Sequence, residues 1–297
     1  MIQAKDLVKS FDGRRALDGF SINVPKGSVY GLVGPNGAGK STFLRHAAGI
    51  YTQDSGSIQI DGQPIFENTA VKARISYIPD DLFFFLQASQ RDMMKFYKGI
   101  YPAFNTERYE KLKEVFKLDE KTPIRKFSKG MQKQSAFWLS MCMMPDILLL
   151  DEPVDGLDPV MRRQIWSLIL SDVAERGTTV LVSSHNLREL EDVCDHVGIV
   201  HQGKMLLERS LSEMQGNTVK LQIVPKEGSE LPEGLDILHE SSTGRMKTLI
   251  VRGTPGEVSA IAHASAPVYY ELLPLTLEEI FIYELGGVDY AVNEIIL

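Results

Sequence analysis

The sequence is poor in cysteine, and this shortage narrows the class of protein. Only two of its 297 residues are cysteines, Cys142 and Cys194, and neither lies in a Cys-x-x-Cys or Cys/His cluster. Disulfide frameworks and cysteine-based zinc sites require more cysteines at closer spacing. We therefore expect two buried, reduced thiols in a cytosolic protein.

Long apolar runs and an excess of positive charge are also missing. No apolar run approaches the length of about 18 residues that a membrane helix needs. The opening residues, MIQAKDLVKSFDG, lack the apolar region of a signal peptide. The net charge of −7 argues against direct nucleic-acid binding, because proteins that bind phosphate backbones present a basic face. We expect a cytoplasmic chain that reaches a membrane only through a partner.

Strand and helix patterns alternate along the first two thirds of the chain. Apolar strands are predicted at residues 28–33, 147–150 and 179–182, and a helix at 160–175 separates the last two. Methionine, lysine and aromatic residues recur at helical spacing over about residues 88–145, which indicates a helical insertion. This alternation predicts an α/β sheet with helices packed on it.

The pattern changes near residue 216, where we place a domain boundary. Beyond it the sequence predicts a small α+β domain over 217–297, which carries no chemical motif. Its predicted elements are strands at 217–224, 235–239 and 247–251, and a closing helix at 276–285 that starts with a capping box. We expect this accessory domain to stabilise a dimer or to regulate the larger domain.

A glycine-rich loop directly follows the first apolar strand. Residues 34–41 read GPNGAGKS and match the phosphate-binding pattern Gly-x-x-x-x-Gly-Lys-Ser/Thr. In such a loop, backbone amides and the positive end of the following helix dipole face phosphate. We expect Lys40 to neutralise the β- and γ-phosphates and the Ser41 hydroxyl to bind Mg²⁺. The predicted ATP-binding residues here are Gly34, Pro35, Asn36, Gly37, Ala38, Gly39, Lys40, Ser41 and Thr42.

Two adjacent acids follow the apolar strand at 147–150. Neighbouring side chains of a strand point to opposite faces, so Asp151 and Glu152 should serve different purposes. We expect Asp151 to hold Mg²⁺ and Glu152 to polarise the attacking water. His185 follows the strand at 179–182, and we expect it to sense the γ-phosphate and to orient water or Glu152. Solvated acids at a strand end and a structural histidine are the alternative interpretations.

Residues 127–132, FSKGMQ, resemble the LSGGQ signature of ATP-binding cassette (ABC) ATPases. They lie between the phosphate-binding loop and the paired acids, and GLD follows at 156–158. In this order the motifs make residues 1–215 similar to ABC ATPases, and FSKGMQ has the variant form common among type-2 ABC exporters. The C-terminal tail, down to AVNEIIL, is similar to ATPases of small antibiotic-responsive export operons. The resemblance implies a P-loop NTPase cassette within 1–216, with a mixed-sheet core, an antiparallel β subdomain and a helical subdomain.

The resemblance also implies residue roles and partners. Phe11 would stack on adenine, and a core phenylalanine is the alternative. Asp158 would cross the interface of a homo- or heteromeric cassette dimer that closes on ATP. Separate transmembrane permease subunits would receive the energy of ATP hydrolysis. The residues that would face the γ-phosphate bound by the other cassette are Ser128, Lys129, Gly130 and Met131.

Three residues depart from the family pattern. Asp80 occupies the usual position of a glutamine, and a carboxylate accepts hydrogen bonds only but suits Mg²⁺. We therefore expect Asp80 at the metal and in catalysis. Lys129 replaces the second signature glycine and Met131 replaces the signature glutamine. We still expect an active ATPase, and a weakly hydrolysing regulator remains an alternative.

Residues 82–86, LFFFL, follow Asp80 and Asp81 directly. By the resemblance they would form the groove that receives a cytoplasmic helix of the permease, and a buried strand end is an equally good interpretation. The main alternative to an exporter motor is a soluble ABC ATPase that acts on a protein or nucleic-acid assembly.

Overall fold

The computed structural model describes residues 1–211, 218–226, 231–273, 275, 276 and 279. The chain divides into two compact units. The first contains Met1–His185 and His196–Glu208, and the second contains Asn186–Asp195 and the described residues from Arg209 onward. The boundary predicted near residue 216 lies outside the described residues and remains a proposal.

Strands and helices alternate up to Ser210, two residues past the end of the first unit, as the sequence predicts. The strands are β1 (Ile2–Phe11), β2 (Arg14–Val24), β3 (Val29–Val33), β4 (Ser55–Ile60), β5 (Gln63–Pro64), β6 (Ile75–Ile78), β7 (Ile147–Asp151), β8 (Thr179–Ser184), β9 (His196–His201) and β10 (Lys204–Ser210). The helices are α1 (Lys40–Ala47), α2 (Thr69–Lys72), α3 (Gln90–Ile100), α4 (Thr106–Phe116), α5 (Lys129–Cys142) and α6 (Pro159–Arg176).

A six-stranded sheet in the order β10-β9-β3-β8-β7-β6 forms the centre of this unit. Strands β6, β7, β8, β3 and β9 run parallel. Every residue of β3, β7 and β8 is buried, which is typical of a parallel sheet covered on both faces. Because parallel strands end at the same edge, the residues that follow β3, β7 and β8 are brought together there.

A second sheet, β2-β1-β4-β5, is antiparallel where its pairings are described. Its β4–β5 hairpin turns at Asp61 and Gly62, whose φ values are 49° and 76°, as the Asp-Gly pair predicts. The side chains on its inner face pack against helix α1, where Phe20 and Phe43 lie with ring centroids 4.7 Å apart. This sheet corresponds to the predicted antiparallel β subdomain.

Helices α3, α4 and α5 confirm the predicted helical insertion. Each begins with a side chain that accepts a hydrogen bond from the backbone of the first turn: Ser89, Asn105 and Ser128 respectively. Their core is the fully buried Trp138 of α5, which stacks on Tyr109 at 4.6 Å. Within the described residues, no helix is both long and apolar enough to span a bilayer.

The second unit contains another antiparallel sheet. Its elements are β11 (Thr218–Val224), β12 (Asp236–Thr243), β13 (Met246–Arg252), helix α7 (Pro255–Ala264) and β14 (Tyr269–Leu273). The strand order is β12-β13-β11-β14, and Leu221 and Leu249 pack with Val258 of α7 in the core. The Thr276 and Glu279 hydrogen bonds form a capping box, whereas the rest of the helix predicted at 276–285 lies almost entirely outside the described residues. The α/β class with an α+β C-terminal part is confirmed.

Candidate functional site

The loop between β3 and α1 has a backbone that requires glycine. Gly37 and Gly39 have φ values of 80° and 110°, in the left-handed region that disfavours side chains. A Cβ atom at Gly39 would lie 2.6 Å from the carbonyl oxygen of Ala16, and one at Gly34 would lie 2.2 Å from that of Val200. The loop therefore packs tightly against its neighbours at Gly34 and Gly39, where a side chain would not fit.

Lys40 is the buried cation of this loop. Its Nζ donates to the carbonyl oxygens of Gly34 at 2.6 Å and Pro35 at 3.3 Å, and lies 3.3 Å from Glu152 Oε1. The ammonium thus lies at the wall of a pocket of about 200 Å³. The pocket is lined by Ala16, Asn36, Gly37, Ala38, Gly39, Lys40, Ser41, Thr42, Asp80 and Glu152.

Asp151 ends β7 and is 1% exposed. Its Oδ1 accepts hydrogen bonds from Ser41 Oγ at 2.9 Å and Ser183 Oγ at 2.6 Å, and Tyr77 approaches Oδ2 at 3.4 Å. Burial raises the pKa of Tyr77 to about 12, and the Asp151 carboxylate adds to this shift, so the phenol remains a donor. These three donors are uncharged. A buried carboxylate held by hydroxyl groups next to the Ser41 oxygen offers the hard oxygen ligands that Mg²⁺ prefers.

Glu152 follows β7 with a left-handed backbone, at φ 45°. Its main-chain N donates to Ser183 Oγ at 3.1 Å, and its Oε2 lies 2.9 Å from His185 Nδ1 and 3.3 Å from His185 N. Asp151 and Glu152 therefore contact different partners, as the sequence predicts. The physical cause differs from the predicted one, because the positive φ at Glu152, and not strand alternation, turns the second carboxylate aside.

Asp80 lies at the rim of the same pocket. Its side chain is 56% exposed and its Oδ1 lies 3.3 Å from Lys133 Nζ. Lys133 also donates to the carbonyl oxygen of Glu152 at 2.7 Å. A neighbouring pocket of about 370 Å³ is bordered by Asp80, Lys129 and Gly156, so Asp80 lies between the two cavities.

The signature residues and Asp158 do not line the phosphate-loop pocket. Ser128 caps α5 and accepts a hydrogen bond from Met131 N at 3.3 Å. A Cβ atom at Gly130 would lie 2.8 Å from the carbonyl oxygen of Gly156, so glycine is required for this close packing. Asp158 caps α6 by accepting from the N–H groups of Val160 and Met161, each at 3.0 Å. Within one chain these residues therefore organise two helix starts.

Phe11 is partly exposed at the end of β1. Its ring centroid lies 5.3 Å from that of Tyr51, and Lys9 Nζ lies 5.6 Å from it. Phe11 does not line the phosphate-loop pocket, and stacking on adenine remains a prediction.

The structure also brings in residues that the motifs do not identify. Tyr77 and Ser183 reach Asp151 from the two strands beside β7, and Lys133 reaches Glu152 from α5. Polar residues near the carboxyl ends of parallel strands are a usable signal for the first two. Lys133 carries no such signal, because its contact depends on how α5 packs.

A phosphate-binding loop that faces a buried acid and a second acid paired with histidine defines a P-loop nucleotide hydrolase.

The family model described as ABC transporter matches residues 17–155. The ABC transporter ATP-binding protein YtrB of Bacillus subtilis (strain 168) is 31% identical over 290 residues, which cover 97% of this chain and 99% of that protein. The bacitracin transport ATP-binding protein BcrA of Bacillus licheniformis is 35% identical over 211 residues, with 70% and 69% covered.

A solved structure of an ATP-binding subunit of an ABC transporter matches with a TM-score of 0.67 and 25% identity, and the match covers 72% of this chain and 92% of that one. The chain belongs to the ABC transporter family, as an ATP-binding and ATP-hydrolysing subunit. This confirms the family indicated by the order of the sequence motifs.

Proposed function

We propose that the chain is the motor of an ABC exporter, in which two cassettes close on Mg²⁺-ATP and drive separate permease subunits in the cell membrane. The chain would lie at the cytoplasmic face and contact the membrane only through the permease. One observation carries the catalytic part of the proposal: the loop lysine, Asp151 and the Glu152–His185 pair converge at one edge of the central sheet.

Ser41, Asp151 and Asp80 would hold the metal ion. Ser41 and Asp151 are already hydrogen-bonded, and Asp80 borders the same pocket. Mg²⁺, when bound, neutralises phosphate charge and orients the γ-phosphate. Lys40 is positioned to exchange its contact with Glu152 for phosphate oxygens, because its Nζ already lies at the pocket wall.

Glu152 would take the proton of the attacking water. Its carboxylate is held from one side by Lys40 and from the other by His185, which limits its rotation. Because the His185 ring is about half exposed, its other nitrogen is available to contact the γ-phosphate. A positioned base of this kind accelerates hydrolysis by about 10²–10⁴-fold.

The dimer completes the nucleotide site in this proposal. The starts of α5 and α6, at Ser128 and Asp158, lie outside the phosphate-loop pocket of their own chain. The amides at the start of α5, near Lys129 and Gly130, form the positive end of a helix, which suits the γ-phosphate held by a second cassette. Phe11 would stack on adenine at the edge of the same site.

An exposed aromatic patch is the proposed permease contact. Its candidates are the exposed apolar side chains of residues 83–86 and of α3, which are Phe83, Phe85, Leu86, Phe96 and Ile100, with Phe83 at 75% exposed. Phe85 and Phe96 meet edge to face at 5.0 Å, which joins the loop after β6 to α3. In the segment 82–86 it is Phe84 that is buried, so the segment is more than a buried strand end. Exposed apolar patches of this kind mark interaction surfaces.

The direction of transport is proposed from similarity. BcrA is named for bacitracin transport, and its alignment covers 70% of this chain. A relative in Cupriavidus metallidurans, 30% identical over 294 residues, is named a Nod factor export ATP-binding protein. We propose export on the basis of that second name and assign no cargo. The described α+β part after residue 217 is proposed to stabilise the dimer or to regulate turnover.

The proposal is tested by affinity purification of the intact protein from detergent-solubilised membranes. We expect a membrane protein with several spans to co-purify, and Phe83→Ser to reduce its recovery several-fold. Phe66→Ser is the matched control, because Phe66 is also exposed but lies in the turn after β5. Recovery of ribosomes or DNA in place of a membrane protein would overturn the export proposal.

A further inference from the structure

We propose that Lys133 is a positioning residue that couples Mg²⁺ binding at Asp80 to the orientation of the Glu152 carboxylate. The inference rests on the proposed roles of these two acids. Lys133 lies one turn into α5, the helix that Ser128 caps. It therefore connects the helical subdomain to the Asp80 carboxylate and to the main-chain carbonyl oxygen of Glu152 at once.

Lys133 is buried, at 6% exposed. A buried ammonium is costly unless it finds acceptors, and its proton donors are directed at the Glu152 carbonyl oxygen, at 2.7 Å, and Asp80 Oδ1, at 3.3 Å. Removing the charge leaves both acceptors without this donor. The lysine is consequently placed to act on the two acids and not on solvent.

At Asp80, the lysine competes with the metal. The Asp80 side chain is more than half exposed at the pocket rim, so its carboxylate can turn from Lys133 toward a cation in the pocket. A glutamine, the usual residue of the family at this position, would form no ion pair with Lys133. In this chain Mg²⁺ must displace an ammonium before Asp80 can bind it, which weakens the apparent affinity for Mg²⁺.

At Glu152, the same lysine holds the backbone. The left-handed conformation of Glu152 is unfavourable for a residue with a side chain. Its N–H donates to Ser183 and its carbonyl oxygen accepts from Lys133, so both main-chain polar groups of Glu152 are hydrogen-bonded. Loss of the Lys133 contact frees the peptide after Glu152 to rotate, and the carboxylate then loses its fixed direction.

The test compares three purified full-length variants with the parent. Lys133→Gln removes the charge, Lys133→Arg keeps it, and Lys121→Gln removes an exposed charge from the same subdomain. Binding of a fluorescent ADP analogue is measured against free Mg²⁺, and turnover of ATP is measured separately. Binding without Mg²⁺, in EDTA, reports whether each variant is folded.

We expect Lys133→Gln to lower the half-saturating Mg²⁺ concentration about fivefold, because Asp80 is freed from its ion pair. The same variant should lower turnover about tenfold, because Glu152 loses an anchor. Lys133→Arg should raise the half-saturating Mg²⁺ by about twofold while keeping turnover near that of the parent, because guanidinium pairs with carboxylate more firmly. Lys121→Gln should change neither quantity.

Asp80→Asn separates this inference from the proposed function. Asp80→Asn should weaken Mg²⁺ binding. In the double variant with Lys133→Gln, the half-saturating Mg²⁺ concentration should stay at the value of Asp80→Asn alone. If Asp80→Asn weakens Mg²⁺ binding but neither Lys133 variant shifts it, the Lys133 inference is overturned and the metal role of Asp80 stands. If Asp80→Asn leaves Mg²⁺ binding unchanged, Asp80 is not a metal ligand. If Lys133→Gln does not fold, the test is the rise in half-saturating Mg²⁺ concentration expected for Lys133→Arg.

Discussion

Glu152→Gln separates binding of ATP from its hydrolysis. The substitution keeps the shape of the side chain and removes its charge and basicity. The contact with His185 at 2.9 Å can persist through the amide, since either group can donate. Lys40 loses an anion at 3.3 Å but keeps the carbonyl oxygen of Gly34 at 2.6 Å. We therefore expect folding to survive in the nucleotide-free protein at a cost of about 1–3 kcal/mol.

The effect on rate should be much larger. Loss of the base should slow hydrolysis by about 10²–10⁴-fold, equivalent to about 3–5 kcal/mol of activation free energy. ATP binding should be retained or strengthened, because a negative charge that repels the phosphates is gone and Lys40 is released to them. ATP phosphate should also restore the stability lost in the nucleotide-free protein.

The assay combines single-turnover phosphate release with size-exclusion chromatography in ATP and Mg²⁺. Glu152→Gln should release phosphate slowly and elute as a stable dimer, whereas the parent should return to its nucleotide-free state. Glu107→Gln is the control, because Glu107 is an exposed acid of α4 that pairs with Lys111 and borders neither pocket. A Glu152→Gln variant that hydrolyses ATP like the parent would refute the assignment of Glu152 as the base.

Three further predictions follow from the described contacts. Lys40→Ala should abolish productive ATP binding, measured with a fluorescent nucleotide, and full activity would rule out the phosphate-loop assignment. Trp138→Ala should lower the free energy of unfolding by about 3–5 kcal/mol in urea titrations, because a fully buried ring and its hydrogen bond to Tyr109 are lost; a change under 1 kcal/mol would contradict this packing. Burial raises the pKa of both thiols, to about 12 for Cys142. At neutral pH neither thiol should therefore react with iodoacetamide until the protein unfolds. Rapid labelling of native Cys142 or Cys194 would contradict their burial.

The parts of the site that the sequence predicts are those set by short stretches of chain. The strand ILLLD at Ile147–Asp151 is apolar on both faces, so its place in a parallel sheet and the acid at its end follow from the residues alone. The positive φ values of the loop glycines also follow from the residues alone, because glycine adopts this conformation readily. Because parallel strands share an edge, the meeting of Ser41 with Asp151, 110 positions apart, was also within reach of sequence reasoning.

The parts that the sequence does not predict depend on packing between distant elements. The positive φ of Glu152 has no local signal, because glutamate does not favour that region. The Lys133 contact with Glu152 requires the orientation of α5 on the sheet, which helix periodicity alone does not give. Phe11 is a different case, because the resemblance places it at adenine, whereas the structure places its ring beside Tyr51 and Lys9.

This division has a mechanistic consequence. Asp151 is held by hydroxyl groups from α1 and β8, which belong to the central sheet and to the helix that follows β3. Glu152, one residue later, is held in addition by Lys133 from the helical subdomain. A small rotation of α5 would therefore leave the Asp151 contacts intact while moving the carbonyl anchor of Glu152. Since α5 also begins at the signature residue Ser128, contact of that helix start with a second cassette would move the Lys133 contacts with Glu152 and Asp80 while leaving the contacts of Asp151 in place.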